Sequence, residues 1–212
     1  FEIRKDVLKY DEVMNEQRKV IYRRRQQILD GGDLHDETLA AIEEAVDAIV
    51  AGCCAGNYAE DWDVEELVLQ MQALSESKIT EEQIRAFDSV KELRQAYLDE
   101  ALAAYAAKEQ AIGTEQLREI ERRVMLSVID QHWREHLYEM DYLREGINLR
   151  AMGQRDPLAE WQREGFDMFG QMMDSIRDNF VQYVFRLEVV SQDPIALTPK
   201  ALTYSSPEDG VQ

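Results

Sequence analysis

The sequence predicts an all-α protein: one long N-terminal helix, a small helical unit, and two long helices folded back on each other. Three observations predict it. Apolar residues recur at alternating steps of three and four near both ends of the chain, the spacing that keeps one stripe of a helix facing a partner. No stretch alternates with period two for long enough to be a strand. The break between the two C-terminal patterns, Gly146 to Pro157, is so short that the helices it joins must run antiparallel.

The first helix is carried by Ile3, Val7, Tyr10, Met14, Gln17, Ile21, Arg24 and Ile28, and Gly31-Gly32 ends it. Gln17 and Arg24 are polar entries in an otherwise apolar stripe. They spoil a simple zipper and predict polar patches where the helix changes partner. Residues 33–113 read as a separate helical unit. Leu39, Ile42, Val46 and Ile49 form one helix, stopped near Gly52, and Asn57 to Asp61 is a loop. Asp63 with Glu66, and Thr80 with Gln83, have the spacing at which side chains satisfy the free amides of a helix start. Val90, Leu93, Tyr97, Ala101 and Tyr105 make a longer helix running to Gly113.

From Thr114 the pattern resumes, with Leu126, Ile129, Trp133, Leu137, Met140, Leu143 and Ile147 on one face. After the break, Leu158, Trp161, Gly165, Phe169, Met173, Ile176, Phe180, Val184 and Leu187 share another. Asp156-Pro157 supplies the cap and first-turn proline of that last helix. Gly165 and Gly170 sit inside it, where each costs about 1 kcal/mol relative to alanine, so both are expected where another backbone approaches closely. Trp133 and Trp161 are expected to be core anchors. The tail, with Pro194, Pro199 and Ser205-Ser206-Pro207, is linker-like. The expected organisation is therefore 1–32, 33–113, 114–190 and 191–212. Phe1 is not an initiator methionine and the helical pattern is already running at Ile3, so the sequence reads as part of something longer.

Charge narrows the function. The net charge of −19 is concentrated in residues 29–114, where five Lys/Arg face twenty Asp/Glu, a balance of −15. Phosphate binding needs a basic face, so no nucleic-acid partner is expected. Arg23-Arg24-Arg25 is the local exception and reads as a solvated helix face. Cys53-Cys54 suits neither a disulfide framework nor a zinc site.

The catalytic inventory is short. No glycine-rich phosphate cradle is present, so this chain alone should not turn over a nucleotide, and no nucleophile sits beside a base. His132-Trp-Arg-Glu135-His136 fits the H-x-x-E-H pattern of some zinc peptidases, with two imidazoles one helical turn apart. A catalytic zinc wants three protein ligands, and nothing nearby singles out the third. Two readings other than an interaction module therefore stay open: a metallopeptidase-like site at His132, Glu135 and His136, and a generic helical adaptor.

Two stretches resemble a known family. Phe1-EIRKDVLKYDEVMNEQRKVIYRRR-Gln26 is similar to the start of the helical scaffold domain of the SecA family of bacterial preprotein translocase ATPases. Val124-MLSVIDQHWREHLYEMDYLREGINLRAMGQRDPLAEWQREGFDMFGQMMDSI-Arg177 resembles that family's two-helix finger and the helix after it. The acidic block between them fits the position of the family's helical wing domain. The tail resembles the start of its C-terminal linker, without the terminal zinc-binding motif.

The resemblance implies a division of labour. ATP and Mg belong to motor domains that this sequence does not contain, so no cofactor is expected in it. The scaffold helix docks the motor and preprotein-clamp domains. The fingertip, Arg150, Ala151, Met152, Gly153, Gln154 and Arg155, is implied to touch the preprotein at the SecYEG channel. Met152 stands where the family often has a tyrosine; a flexible, polarizable side chain can still grip varied partners. Arg150 and Arg155 would meet acidic channel loops or lipid headgroups. The implied location is the bacterial cytoplasm, in peripheral contact with the cytoplasmic face of the cell membrane.

Overall fold

The computed structural model describes residues 2–56, 59–150 and 156–187, with side chains in the first helix from Tyr10 onward and in the sixth up to Ile147. Among these residues there are helices and no strands: α1 (Glu2–Leu29), α2 (His35–Cys53), α3 (Val64–Ser75), α4 (Glu81–Arg85), α5 (Val90–Ile112), α6 (Thr114–Arg150) and α7 (Pro157–Arg186), with a short 3-10 turn at Ala59–Asp61. The predicted all-α class is what the chain adopts.

Local chemistry sets the boundaries. Gly31 turns the chain out of α1 at φ +86°, in the left-handed region that favours glycine. Asp63 caps α3 by accepting from the Glu66 amide at 3.2 Å. Thr80 and Gln83 form the complete reciprocal box on α4: the Gln83 amide donates to Thr80 Oγ1, and the Thr80 amide donates to Gln83 Oε1 at 2.9 Å. Ser89 caps α5 through the Glu92 amide, a cap the sequence reading passed over. α2 ends at Cys53, beside Gly52 as the spacing predicts. Gly146 was misread as the start of the break: it lies within α6, which continues to Arg150. With open space beside it, Gly146 has nothing to break its helix, and a single glycine costs too little to end one.

α6 and α7 form an antiparallel pair, with Met140 against Gly165 and His132 against Asn179. The third rod is α1, which runs alongside α7 and opposite to α6. Tyr10 stacks edge-on against Trp161 at 5.3 Å, Asp11 pairs with Arg144 at 3.7 Å, and Arg25 pairs with Asp130. The arginine run is therefore not simply solvated: Arg24 also pairs, with Glu37 of α2.

Residues 33–113 do not close a core of their own. Buried Ile42, Val46, Leu67, Met71, Leu93 and Tyr97 belong to one continuous cluster with Ile21 and Ile28 of α1, Ile129 of α6 and Phe180 and Val184 of α7. α2 is the element that joins them, lying against α3, α5 and α7. Arg94 of α5 clamps Asp47 and Glu43 of α2, and Lys108 donates to the final carbonyls of α7 at Phe185 and Leu187. Where α5 turns into α6, buried Arg118 binds Glu121, Glu109 and Tyr105, and the Tyr105 hydroxyl donates to the fully buried Glu121 at 2.8 Å. Cys53 and Cys54 are free and buried.

Candidate functional site

The stretch expected to form a finger corresponds to the outward halves of α6 and α7. Its interior is a small cluster of Met140, Leu143, Ile147 and Trp161, with Tyr10, Val13 and Met14 of α1 covering one side. Trp133 and Trp161 are both buried, as anchors should be. Gly165 explains how closely the rods approach: a Cβ there would lie 2.8 Å from the terminal methyl of Met140. Gly170 has open space and takes no part in this contact, which overturns the expectation that both glycines serve close packing. The inward face also shifts by one residue at the base, where Met172 is buried while Met173 is exposed.

Asp156 begins α7, its carboxylate accepting from the Leu158 amide at 3.1 Å, with Pro157 in the first turn. Of the fingertip residues, Arg150 is the last of α6. Ala151, Met152, Gly153, Gln154 and Arg155 lie outside the described residues; the structure describes α6 to Arg150 and the chain again from Asp156.

Where the sequence drew a polar interruption of the α1 stripe, the structure builds a junction of three helices. Gln17 is buried; its Nε2 donates to the Gly165 carbonyl at 2.9 Å and its Oε1 accepts from His136 Nε2 at 2.9 Å. Because Gln17 spends its amide hydrogens on α7, its oxygen must face His136, which fixes the imidazole as an Nε2–H donor. His136 Nδ1 is buried without a partner, and the ring packs between Trp133 and Phe169. Burial holds the His136 pKa below its ordinary value.

This placement separates the members of the His132-Trp-Arg-Glu135-His136 pattern. His136 is in the core. His132 accepts from the Asn179 side-chain amide through Nε2 at 2.7 Å, with Glu135 3.9 Å from its other nitrogen. Each imidazole thus has its Nε2 engaged by an amide of a different helix. Among the described residues no group of three or more His, Cys, Asp and Glu side chains is placed to hold a metal ion.

The sequence reading also missed an exposed pair on the finger shaft. Tyr138 and Tyr142 stand one turn apart on α6, 71% and 80% exposed, beside a groove floored by Leu143, Gly146 and Met168. Two aromatic residues four apart on the polar side of a predicted helix were the available signal.

The sequence pattern of the SecA Wing and Scaffold domain matches residues 1–188. The chain belongs to that family. Among its relatives, the protein translocase subunit SecA of Rhodococcus opacus is 49% identical over 207 residues, covering 92% of this chain. The protein translocase subunits SecA of Streptomyces coelicolor and Kineococcus radiotolerans are each 45% identical, covering 100% and 98% of it. The chain spans only 22%, 23% and 25% of the length of those three relatives, in the order named. What the family match covers is therefore the wing and scaffold portion, and α1, α6 and α7 are its long rods. No described helix is long and apolar enough to cross a membrane.

Proposed function

We propose that this chain is the non-catalytic scaffold, wing and finger portion of a SecA-type protein translocase. In this reading residues 150–155 contact the preprotein and the SecYEG channel. α1 carries motor and preprotein-clamp domains located elsewhere in the polypeptide, and those motors bind ATP and Mg. The portion works in the bacterial cytoplasm, in peripheral contact with the membrane. The observation that carries the proposal is a braced antiparallel α6–α7 pair, with Arg150 and Pro157 at the ends of the two helices, in a chain matched from residue 1 to 188 by the wing and scaffold pattern.

The physical case follows from the bracing. A helix of thirty residues is about 45 Å long at 1.5 Å per residue. Two such rods, packed on each other and against α1, carry Arg150 and Asp156 at the ends remote from the base. A translocase meets polypeptides of every sequence, so its contact must be adaptable, and Met152 between two arginines supplies an apolar grip with charged flanks. The metallopeptidase alternative is disfavoured by geometry, since among the described residues no group of three or more His, Cys, Asp and Glu side chains is placed to hold a metal ion.

The test is site-specific photocrosslinking. A photoreactive residue at 152, in the full-length polypeptide reconstituted with channel and a stalled preprotein, is expected to label preprotein or channel loops in the presence of ATP. The control is a photoreactive residue at exposed Glu65 on the wing. Equal labelling from both positions would defeat the proposal. Stoichiometric zinc, with peptidase activity abolished by His136→Ala, would establish the alternative instead.

A further inference from the structure

The buried apolar side chains of the described residues fall into two clusters: a large one spanning wing and base, and the small one inside the finger. What separates them is one polar level crossing all three rods. On α1, Gln17 lies between Met14 and Ile21. On α6, His136 lies between Trp133 of the large cluster and Met140 of the small one. On α7, Gly165 lies between Trp161 of the small cluster and Met172 of the large one. Those three interrupting residues are the ones bonded to each other through the Gln17 side chain. Met14, half-buried, packs on both clusters and is the apolar link across the level.

The level is polar beyond the triad. A cavity of about 250 Å³ opens there between α6 and α7, lined by His132, Glu135, His136 and Glu139 on one side and Gln171 and Ser175 on the other. His136 Nδ1, a buried acceptor with no protein partner, belongs to a residue lining it. A polar-lined space of this size, with room for several waters beside an unsatisfied acceptor, offers solvent a way in when the helices part. Apolar contact is thinned at this height to half-buried side chains, Met14 on both clusters with Leu137, Met168 and Phe169 at their edges, and weakened coupling of this kind is how separately opening units arise inside one fold.

We propose that Gln17, His136 and the Gly165 carbonyl form a seam at which the distal half of the bundle opens as a unit of its own, so that the finger can leave α1 while base and wing stay folded. The triad also sets the register for closing, because a one-turn slip of α1 would leave a buried donor and a buried acceptor unpaired. That such opening serves a translocase rests on the function proposed above; the opening itself does not.

Hydrogen exchange read by mass spectrometry on the full-length polypeptide carrying this chain tests the seam separately from the crosslinking. Peptides within 137–147 and 158–168 are expected to exchange at least about tenfold faster than those within 117–133 and 172–184, with a step at His136 and not the gradual slope that fraying from a helix end produces. Trp161→Leu, which hollows the small cluster, should quicken the distal peptides alone. Gln17→Leu combined with His136→Leu, which makes the core continuous, should bring the distal peptides to within about twofold of the base. One common rate for both halves of the wild type, or equal quickening of both by Trp161→Leu, would overturn the seam. So would a step that survives in the doubly substituted protein.

Discussion

Replacing each of two glycines of α7 by alanine should change stability in opposite directions. At Gly170 a Cβ meets nothing within 4 Å, so Gly170→Ala gains helix propensity and loses chain entropy only in the unfolded state, a stabilisation of about 0.5–1 kcal/mol. At Gly165 the same propensity gain is opposed. The new Cβ would stand 2.8 Å from Met140 Cε, closer than carbon atoms tolerate, with Met140 Sδ at 3.5 Å and Val13 Cγ1 at 3.9 Å closing the other directions. Met140 is 2% exposed and has little room to swing aside. Overpacking of a filled core costs about 1–3 kcal/mol, so Gly165→Ala should be destabilising by up to about 2 kcal/mol net. For a chain of this size each kcal/mol moves the midpoint by about 2–4 °C, which puts the two variants several degrees apart in thermal unfolding followed by circular dichroism. The clash should fade in a Met140→Ala background, where the double substitution costs less than the sum of the singles. If Gly165→Ala were as stabilising as Gly170→Ala, the close approach of α6 and α7 at this point would be wrong, and with it the bracing of the finger.

Four further outcomes follow. Gln17→Ala strands the His136 N–H in the core and removes the second hydrogen bond to the Gly165 carbonyl, and should cost about 1–3 kcal/mol in urea unfolding, beyond the cavity it leaves. Burial lowers the His136 pKa from 6.5, so as pH falls through 6.5 the unfolded chain takes up a proton that the folded chain refuses; stability should drop below that pH and be flat above it on this account, and His136→Gln should remove that part of the slope. Arg118→Ala leaves the Glu121 carboxylate buried without its cation and should cost about 3–5 kcal/mol, whereas Arg118→Met with Glu121→Leu should cost far less, read by thermal unfolding. Burial raises both thiols, Cys54 to about 11, so neither should react with a thiol reagent at pH 8 until the chain is unfolded in urea.

What the sequence made legible was set by periodicity and capping chemistry, both local. The α1 stripe, the Thr80–Gln83 box, the Asp156-Pro157 start and the antiparallel α6–α7 pair are written in spacings of three, four and seven. What it hid was whatever depended on a second helix. Met172 and Met173 are equally apolar and adjacent, and only α6 and α2 decide which is buried. Gly165 and Gly170 look alike until Met140 is placed against one of them. Gln17 read as a place where α1 changes partner; instead it is bonded to two partners at once. His136 is the sharpest case. Its pattern offered a metal-ligand reading, and its actual environment depends on a residue 119 positions away in sequence.

The continuity of the large cluster bears on how force would travel. An acidic unit on a core of its own could swing on the scaffold as a separate body. Here Ile42 and Val46 of α2 share one core with Ile21 and Ile28 of α1 and Phe180 of α7, and Arg24–Glu37, Arg25–Asp130 and Lys108 with the α7 terminus tie the outside of the same joint. Wing and base therefore move together, and the carboxylates that give residues 29–114 their excess charge are carried on that body. Flexibility is left to the level of Gln17 and His136, beyond which, among the described residues, the small Met140–Trp161 cluster and the exposed Asp11–Arg144 pair hold the rods. A bundle stiff at the base and weakly coupled above a single polar level concentrates bending there. A residue that hardens the level, such as leucine at 17 and 136, should stabilise the fold while slowing any activity that needs the finger to leave α1.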